Sequence, residues 1–313
     1  MLSGLEETIN WFKTKNFWGE EKHTEQLEVP RALIVAISER WQKTAQNTPV
    51  PVKKEIFYRF MLPLVVHANT MVLDRRERLQ RMKETIAKGD PLADRDEAWL
   101  GEIAVLLRIA SREEISSSPD SKALAKIIDQ ALYKLDVIPA GLALGQAAYE
   151  SGYGTSRFAV EGNALFGQWT FGGEGLTPEQ QRKELGDHRI ARFDWPFDSV
   201  RGYFINLSAH PAYEDFRRIR AENKAAGKKL SSMALAEGLK NYSERGQDYV
   251  DTLKGIIRKN NLQIADDAVF RDEPIRFILG APDPTAVEKL RSDIEGMRQS
   301  GELEAIIARM RLE

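Results

Sequence analysis

The sequence predicts an α+β protein that is mainly α, on the basis of two observations. Apolar residues recur at helical spacing over most of the 313 residues, on both sides of one differently textured stretch. That stretch, residues 163–193, has glycines between short aromatic or β-branched runs, which is typical of a small sheet or hairpin. A β part confined to one stretch between helices predicts the α+β class, with a cleft between a helical and a β lobe.

The N-terminal part of the chain is predicted to be helical and shows no sheet signal. Pro30 suits the first turn of a helix. The apolar face of this helix is formed by Leu33, Ile34, Ile37 and Trp41. A long helix follows over about residues 53–88, with a break or kink at Pro63. The charge run at residues 74–78 is predicted to be a solvated helix face with i,i+4 ion pairs.

Segment boundaries are predicted from polar and proline-bearing stretches. Residues 116–120 are such a stretch between two apolar-periodic segments. We therefore expect a helical N-terminal region over 1–118, a central domain over 119–265, and a linker with a short helical C-terminal tail over 266–313. The tail is expected to be a packing element or a protein contact.

Composition and charge exclude several classes of function. The formal net charge is −2, so no global basic field attracts nucleic acid. There is no cysteine, and the four histidines lack ligand spacing, so we expect no metal. No dinucleotide or P-loop motif is present, so no cofactor is expected. No secretory signal is visible, and no apolar run is long enough to predict a membrane span.

Glu150 is the candidate catalytic residue that the sequence singles out. Pro139 is predicted to open an apolar helix that ends at residues 151–152, with Gly152 as a left-handed cap. Glu150 then lies in the last turn, where the helix dipole and partial burial both favour the neutral carboxyl. A carboxyl that stays protonated near neutral pH suits a general acid. Alternatively, Glu150 is a solvated helix-end residue or caps a neighbouring helix.

Several blocks of the sequence resemble a known family. Residues 150–156 (ESGYGTS) and 163–167 (NALFG) resemble the signature of the bacterial glucosaminidases that cut peptidoglycan. Blocks resembling the Bax-type branch of that family are Glu161–Thr170, His188–Ile190, Phe193–Asp194, Ser199–Val200, His210–Tyr213 and Tyr242–Gly246. The resemblance covers about residues 119–262, and it implies a lysozyme-like fold over the central domain.

The resemblance also implies an activity and a set of site residues. It implies hydrolysis of the β-1,4 bond between N-acetylglucosamine and N-acetylmuramic acid, with Glu150 as general acid. Glu184 is the best candidate for a second acidic group in the β lobe; Glu174 and Asp187 are its rivals, and a solvated hairpin-tip glutamate is the alternative. Tyr242 matches a cleft tyrosine of the family, although a half-buried core tyrosine is the alternative. The residues expected to line sugar subsites are Tyr153, Asn163, Phe166, Gly167 and Trp169.

Two other functions remain open from the sequence. A lytic transglycosylase acts on the same glycan but leaves a 1,6-anhydro sugar, and a non-catalytic scaffolding protein would bind the glycan without cutting it. In each case the expected partner is the peptidoglycan glycan strand. That substrate implies the periplasm or cell envelope as the location.

Overall fold

The computed structural model describes residues 26–34, 39–116, 120–170, 175–176, 189–278 and 284–305. Most of these residues are helical, and the strands form small two- and three-stranded sheets. The predicted α+β, mainly α class is therefore confirmed, and the structure is consistent with a lysozyme-like fold.

The elements follow one another along the chain in this order. The α-helices of the described residues are α1 Glu39–Thr44, α2 Val50–Ala87, α3 Asp94–Leu106, α4 Arg112–Ser116, α5 Ser121–Lys134, α6 Ala140–Ser151, α7 Arg157–Gly162, α8 Pro196–Ala209, α9 Glu214–Ala225, α10 Ser232–Leu235, α11 Gln247–Lys259 and α12 Pro284–Ser300. Short 3₁₀ helices lie at Ala45–Asn47, Pro211–Tyr213, Ala236–Tyr242 and Leu262–Ala265. The strands are β1 Glu28–Val29, β2 Ala32–Ile34, β3 Trp169–Thr170, β4 Gly175–Leu176, β5 Arg189–Ala191, β6 Val269–Phe270 and β7 Arg276–Ile278.

Helix α2 is the longest described element. The sequence predicts a long helix over about residues 53–88, and α2 spans Val50–Ala87. Pro63 lies inside it, and the chain leaves the helix at Gly89, whose φ of 85° is left-handed. By length and composition alone, α2 is the one helix in the described part that could cross a membrane. The core helix of a soluble protein meets the same criterion, and 72% of the apolar window of α2 is buried. The expected lack of a membrane span therefore stays a prediction.

The predicted helix that starts at Pro30 is wrong. Residues 28–29 and 32–34 are strands, Ile37 lies outside the described residues, and Trp41 lies in helix α1. Strand β1 pairs in parallel with β6, and β2 with β7, so the partners come from the stretch expected to be a linker. Val29 and Leu33 are completely buried. Local spacing indicated a helix, but the pairing is decided by residues about 240 positions away, which no local pattern reveals.

The small sheet predicted within residues 163–193 is present. Strand β5 lies in the centre and pairs antiparallel with β3 and β4, with Trp169 opposite Ile190 and Leu176 opposite the same residue. The connections 171–174 and 177–188 lie outside the described residues.

The chain divides into two compact units. Unit 1 comprises residues 1–67, 144–201 and 268–313, and so it contains the β-strands, the end of α6 and helix α7. Unit 2 comprises residues 68–143 and 202–267, and it contains helices α3–α5 and α9–α11. The predicted boundaries at 118 and 265 stay a prediction.

In unit 2, two arginine side chains bind carbonyl groups at the end of helix α5. Arg220, which is 1% exposed, donates to the carbonyl groups of Tyr133, Lys134 and Asp136. Arg76 donates to two further carbonyls there and lies 3.3 Å from the Asp136 carboxylate. Positive charge at a helix C-terminus is stabilising. The charge run is therefore only partly a solvated face, since Arg76 ties α2 to the end of α5.

Candidate active site

Glu150 lies in the last turn of helix α6, as predicted. The helix is apolar and almost fully buried from Leu142 to Ala148, and Glu150 itself is half-buried. The amide of Tyr153 donates to the carbonyl of Ala148 at 3.0 Å, and Gly152 has a φ of 58°. This is the Schellman pattern of helix termination, so the predicted left-handed cap at Gly152 is confirmed.

The turn after Glu150 is held by the hydroxyl group of Ser151. This buried hydroxyl donates to the carbonyl of Ala147 at 2.6 Å and accepts the amide of Gly154 at 2.8 Å. Gly152, Tyr153 and Gly154 all have left-handed φ values, 58°, 60° and 71°. Such a run is unfavourable for a non-glycine residue like Tyr153 and persists only where its surroundings fix it.

A second glycine lies against the carboxylate of Glu150. Gly167 has a φ of 60°, and a Cβ atom on it would lie 3.1 Å from Oε2 of Glu150. The backbone at Gly167 therefore forms one wall beside the carboxylate, and a side chain there would occupy the space next to the acid. This contact joins the two blocks, 150–156 and 163–167, that the sequence singled out.

The loop that carries Gly167 is anchored at both ends by polar side chains. Asn163 donates to the carbonyls of Phe193 and Asp194 at 2.9 and 3.1 Å. Ser199 accepts the amide of Leu165 at 3.1 Å, and its hydroxyl donates to Oε1 of Gln168 at 2.9 Å. The loop is thus fixed to helix α8 and to the segment before it, which sets the position of Gly167.

The predicted subsite residues differ in their surroundings. Tyr153 is half-buried, and its ring lies edge-on to Phe57 and Tyr58 at centroid distances of 5.9 and 6.0 Å. Phe166 is 1% exposed, so its ring packs in the core. Asn163 uses its amide donors within the protein. The backbone of Trp169 lies in β3, and its side chain is outside the described part.

The second acidic group is not placed. Glu184 and its rivals Glu174 and Asp187 all lie outside the described residues. Their roles stay predictions.

Tyr242 belongs to unit 2, where it ends a 3₁₀ helix. Its ring is stacked on that of Tyr249, at 5.6 Å with an interplanar angle of 11°, and it is tilted against Tyr213 at 5.7 Å. Tyr249 and Tyr213 are buried, whereas Tyr242 is half-buried. The stack fixes the Tyr242 ring and leaves part of the side chain accessible.

Burial changes the acid–base properties of two neighbouring residues in helix α2. Burial, with the neighbouring Tyr153 phenol, raises the pKa of Tyr58 far above its ordinary value, so Tyr58 is neutral. Burial also lowers the pKa of Arg59, and the nearby Glu55 carboxylate opposes this change.

In the described part of the chain, no group of three or more His, Asp and Glu side chains could hold a metal ion.

Sequence reasoning missed several residues that hold the site together. Ser151, Gln168 and Ser199 are among them, and their roles depend on the folded loop. Ser151 had a local signal, since a serine before glycine in the last helical turn is able to bond back to the preceding turn. Ser199 had none, because its partners Leu165 and Gln168 are more than 30 positions away.

Comparisons with known proteins place part of the chain in a known family. Residues 125–262 match the family model "Glucosaminidase", described as mannosyl-glycoprotein endo-beta-N-acetylglucosaminidase. The chain is 29% identical over 224 residues to "Protein bax" of Escherichia coli (strain K12), which covers 72% of this chain and 74% of that protein. No solved structure matches the chain significantly. Residues 125–262 thus form a glucosaminidase-family domain, that of a glycoside hydrolase, and the chain is similar to Protein bax over most of its length.

Proposed function

We propose that this protein hydrolyses the β-1,4 bond between N-acetylglucosamine and N-acetylmuramic acid in peptidoglycan, with Glu150 as the general acid. The observation that supports it best is the placement of the Glu150 carboxylate. It lies at the end of a buried apolar helix and against the backbone of Gly167. A helix C-terminus disfavours the ionised carboxyl, and the adjacent glycine leaves room for a sugar to approach it.

The proposed reaction breaks the bond between the anomeric carbon of N-acetylglucosamine and the glycosidic oxygen. Glu150 gives its proton to that oxygen, and a water oxygen bonds to the anomeric carbon. The water proton passes to a second carboxylate, for which Glu184 is the first candidate and Glu174 and Asp187 are the others. At a separation of ~6.5–9.5 Å from Glu150 the second carboxylate acts as this base. At ~5–5.5 Å it would itself bond to the anomeric carbon, and the ionised Glu150 would then take the proton of the water that breaks that bond.

Tyr242 is proposed to support this reaction. Its ring is fixed by stacking on Tyr249, so the phenol is presented in one orientation. A phenol held in this way would orient the acetamido group of the substrate or stabilise the positive charge that develops at the anomeric carbon. Tyr153, Asn163, Phe166, Gly167 and Trp169 are proposed to line the sugar subsites; of these, Asn163 and Phe166 contribute chiefly by shaping the loop.

The first test is the loss of turbidity of purified sacculi. Glu150→Gln keeps the size of the side chain but removes the proton, so the rate is expected to fall roughly 100- to 10,000-fold. Glu161→Gln is the matched control, because Glu161 is an exposed glutamate on the neighbouring helix α7 that pairs with Arg157. Equal lysis by Glu150→Gln and Glu161→Gln would overturn the assignment of the acid.

The released fragments separate hydrolysis from the two other functions. Mass spectrometry is expected to show reducing N-acetylglucosamine ends. Anhydro-muramyl ends would identify a lytic transglycosylase, and binding to sacculi without product would identify a scaffolding protein.

Glu184→Gln, Glu174→Gln and Asp187→Asn, measured side by side, would identify the second carboxylate. Because peptidoglycan lies outside the cytoplasmic membrane, the periplasm or cell envelope is the proposed location.

A further inference from the structure

A hydrogen bond from outside the glucosaminidase domain reaches the turn that follows Glu150. The indole N–H of Trp41, in helix α1, donates to the carbonyl of Gly154 at 3.2 Å, across 113 positions of sequence. The amide of the same glycine donates to Ser151 at 2.8 Å. Both backbone polar groups of this buried glycine are therefore bonded, one within the turn and one to the N-terminal region.

Close packing by helix α2 reinforces this hydrogen bond. A Cβ atom on Gly154 would lie 3.2 Å from Cδ2 of the buried Phe57 and 3.6 Å from Nε1 of Trp41. The neighbouring Tyr153 ring lies edge-on to Phe57 and Tyr58, with the Lys54 ammonium 5.4 Å from its centroid. The turn is thus enclosed by side chains from residues 41–58.

The enclosed turn has a conformation that needs support. Three consecutive residues, 152–154, are left-handed, and one of them is a tyrosine. Left-handed backbone at a non-glycine residue persists where the surroundings over-determine it. Ser151 supplies support from within the turn, whereas Trp41 and Phe57 supply it from outside the family domain, which begins at residue 125.

We propose that Trp41 is a positioning residue for Glu150, and that helix α1 with the start of α2 is an integral part of the active site. The proposal rests on the proposed role of Glu150 as general acid. The Gly154 carbonyl, held by Trp41, fixes the turn. The turn fixes the end of α6, and the end of α6 sets the Glu150 carboxylate against Gly167. Trp41 touches neither substrate nor reacting atoms and acts through this backbone.

The test is Trp41→Phe in the full chain, which removes the N–H donor and keeps an aromatic ring. On soluble uncross-linked glycan strands, we expect kcat to fall about five- to tenfold, the value of one hydrogen bond, with KM nearly unchanged. The pH at which kcat declines on the alkaline side should also move, because the surroundings of the acid change. Trp99→Phe is the matched control, since Trp99 in unit 2 stacks on Arg78 at 4.2 Å.

A purely structural role for Trp41 would give a different result. The variant would then unfold at a lower temperature while the folded fraction kept the wild-type kcat and pH profile, and this outcome overturns the proposal. If Trp41→Phe does not fold, 3-(3-benzothienyl)alanine at position 41 keeps the bicyclic ring and replaces the N–H by sulfur. The same loss of kcat is expected for it, and wild-type kinetics would overturn the proposal.

The same assay separates this inference from the function on which it rests. Glu150→Gln is measured beside the Trp41 variants. If Glu150→Gln is inactive and Trp41→Phe matches wild type, only the role of Trp41 fails. If Glu150→Gln retains full activity, the proposed function itself fails, whatever the Trp41 variants do.

Discussion

At the scale of single residues, the absence of a side chain at Gly167 keeps the space beside the Glu150 carboxylate free. Its backbone is left-handed, and the space that a Cβ atom would occupy is 3.1 Å from the carboxylate of Glu150. A methyl group at this position would therefore both strain the backbone and displace the acid. Few other glycines in the described residues are left-handed and also closely contacted.

Gly167→Ala is expected to lower kcat about 10- to 100-fold, because a small displacement of a catalytic group has large effects. Gly227→Ala provides the control, since Gly227 has a similar φ of 65° with nothing within 4 Å of the added methyl. Both variants should lose about 1 kcal/mol of stability from backbone strain alone. Kinetics on glycan strands and thermal unfolding separate the two effects; an equal kcat for both variants would contradict the role of Gly167.

At the scale of residues, the sequence predicted the features that depend on residues close together along the chain. Glu150 at the end of a helix and Gly152 as its cap follow from residues within one turn of each other. The bonding of Asn163 to residues 193–194 does not, because it needs two segments to be folded together. The sequence therefore predicted the position of Glu150 at the end of its helix and not the residues that hold its surroundings.

Helix α6, which carries Glu150, begins at a buried carboxylate. Asp266 accepts the amide and the hydroxyl of Ser232, the first residue of helix α10, at 2.8 and 3.0 Å. The other side of the same carboxylate faces Gly141 in the first turn of α6, where a Cβ atom would lie 2.6 Å from Oδ1. Burial raises the pKa of Asp266 to about 6, although the amides of Ser232 and Gly141 oppose that change.

This raised pKa predicts how stability depends on pH. The folded state holds the Asp266 proton more tightly than the unfolded state, whose pKa is near 3.8. The contribution of Asp266 to stability is therefore full below pH 3.8 and is lost as the pH rises through about 6. Its size is about 3 kcal/mol, at ~1.4 kcal/mol for each pKa unit.

Asp266→Asn removes the titration, so the variant should gain stability relative to wild type as the pH rises from 4 to 7. The measurement is the free energy of unfolding in urea at several pH values. Asp251→Asn, at an exposed aspartate that pairs with Gln247, should run parallel to wild type. A constant difference between Asp266→Asn and wild type over this range would show that Asp266 has an ordinary pKa when folded.

At the scale of elements, helices were more predictable than strands. The limits of α2 and α6 lie close to those expected from spacing, proline and glycine, because a helix bonds within its own segment. Strand β2 has the apolar residues Leu33 and Ile34, which suit a helix face as well as a strand. Its pairing with β7 decided between them, and that partner is remote in sequence.

In the molecule as a whole, strands β1 and β2 pair in unit 1 with strands β6 and β7, which are remote in sequence. Glu273 lies at this junction, where its carboxylate accepts the amide of Arg31 at 2.9 Å and pairs with Arg276 at 2.6 Å. The side chain of Glu273 is only 12% exposed, so its loss would leave partly buried donors without their acceptor.

Glu273→Ala is expected to destabilise the protein by about 2 kcal/mol, the range for hydrogen bonds to a charged group. Glu288→Ala is the control, because Glu288 forms a similar pair with Arg291 but is 73% exposed. That variant should change stability by less than about 0.5 kcal/mol. Urea midpoints measure both, and indistinguishable midpoints would mean that the junction contributes little.

The pairing of β1 with β6 and of β2 with β7 also sets an order of folding during synthesis. Arg31 and Glu273 are separated by 242 positions, and a ribosome adds about 5 to 20 residues per second. For roughly 12 to 50 s, strands β1 and β2 exist without the segments that pair with them. Unit 1, which carries Glu150, therefore completes its fold only after residues 269–278 have been synthesised.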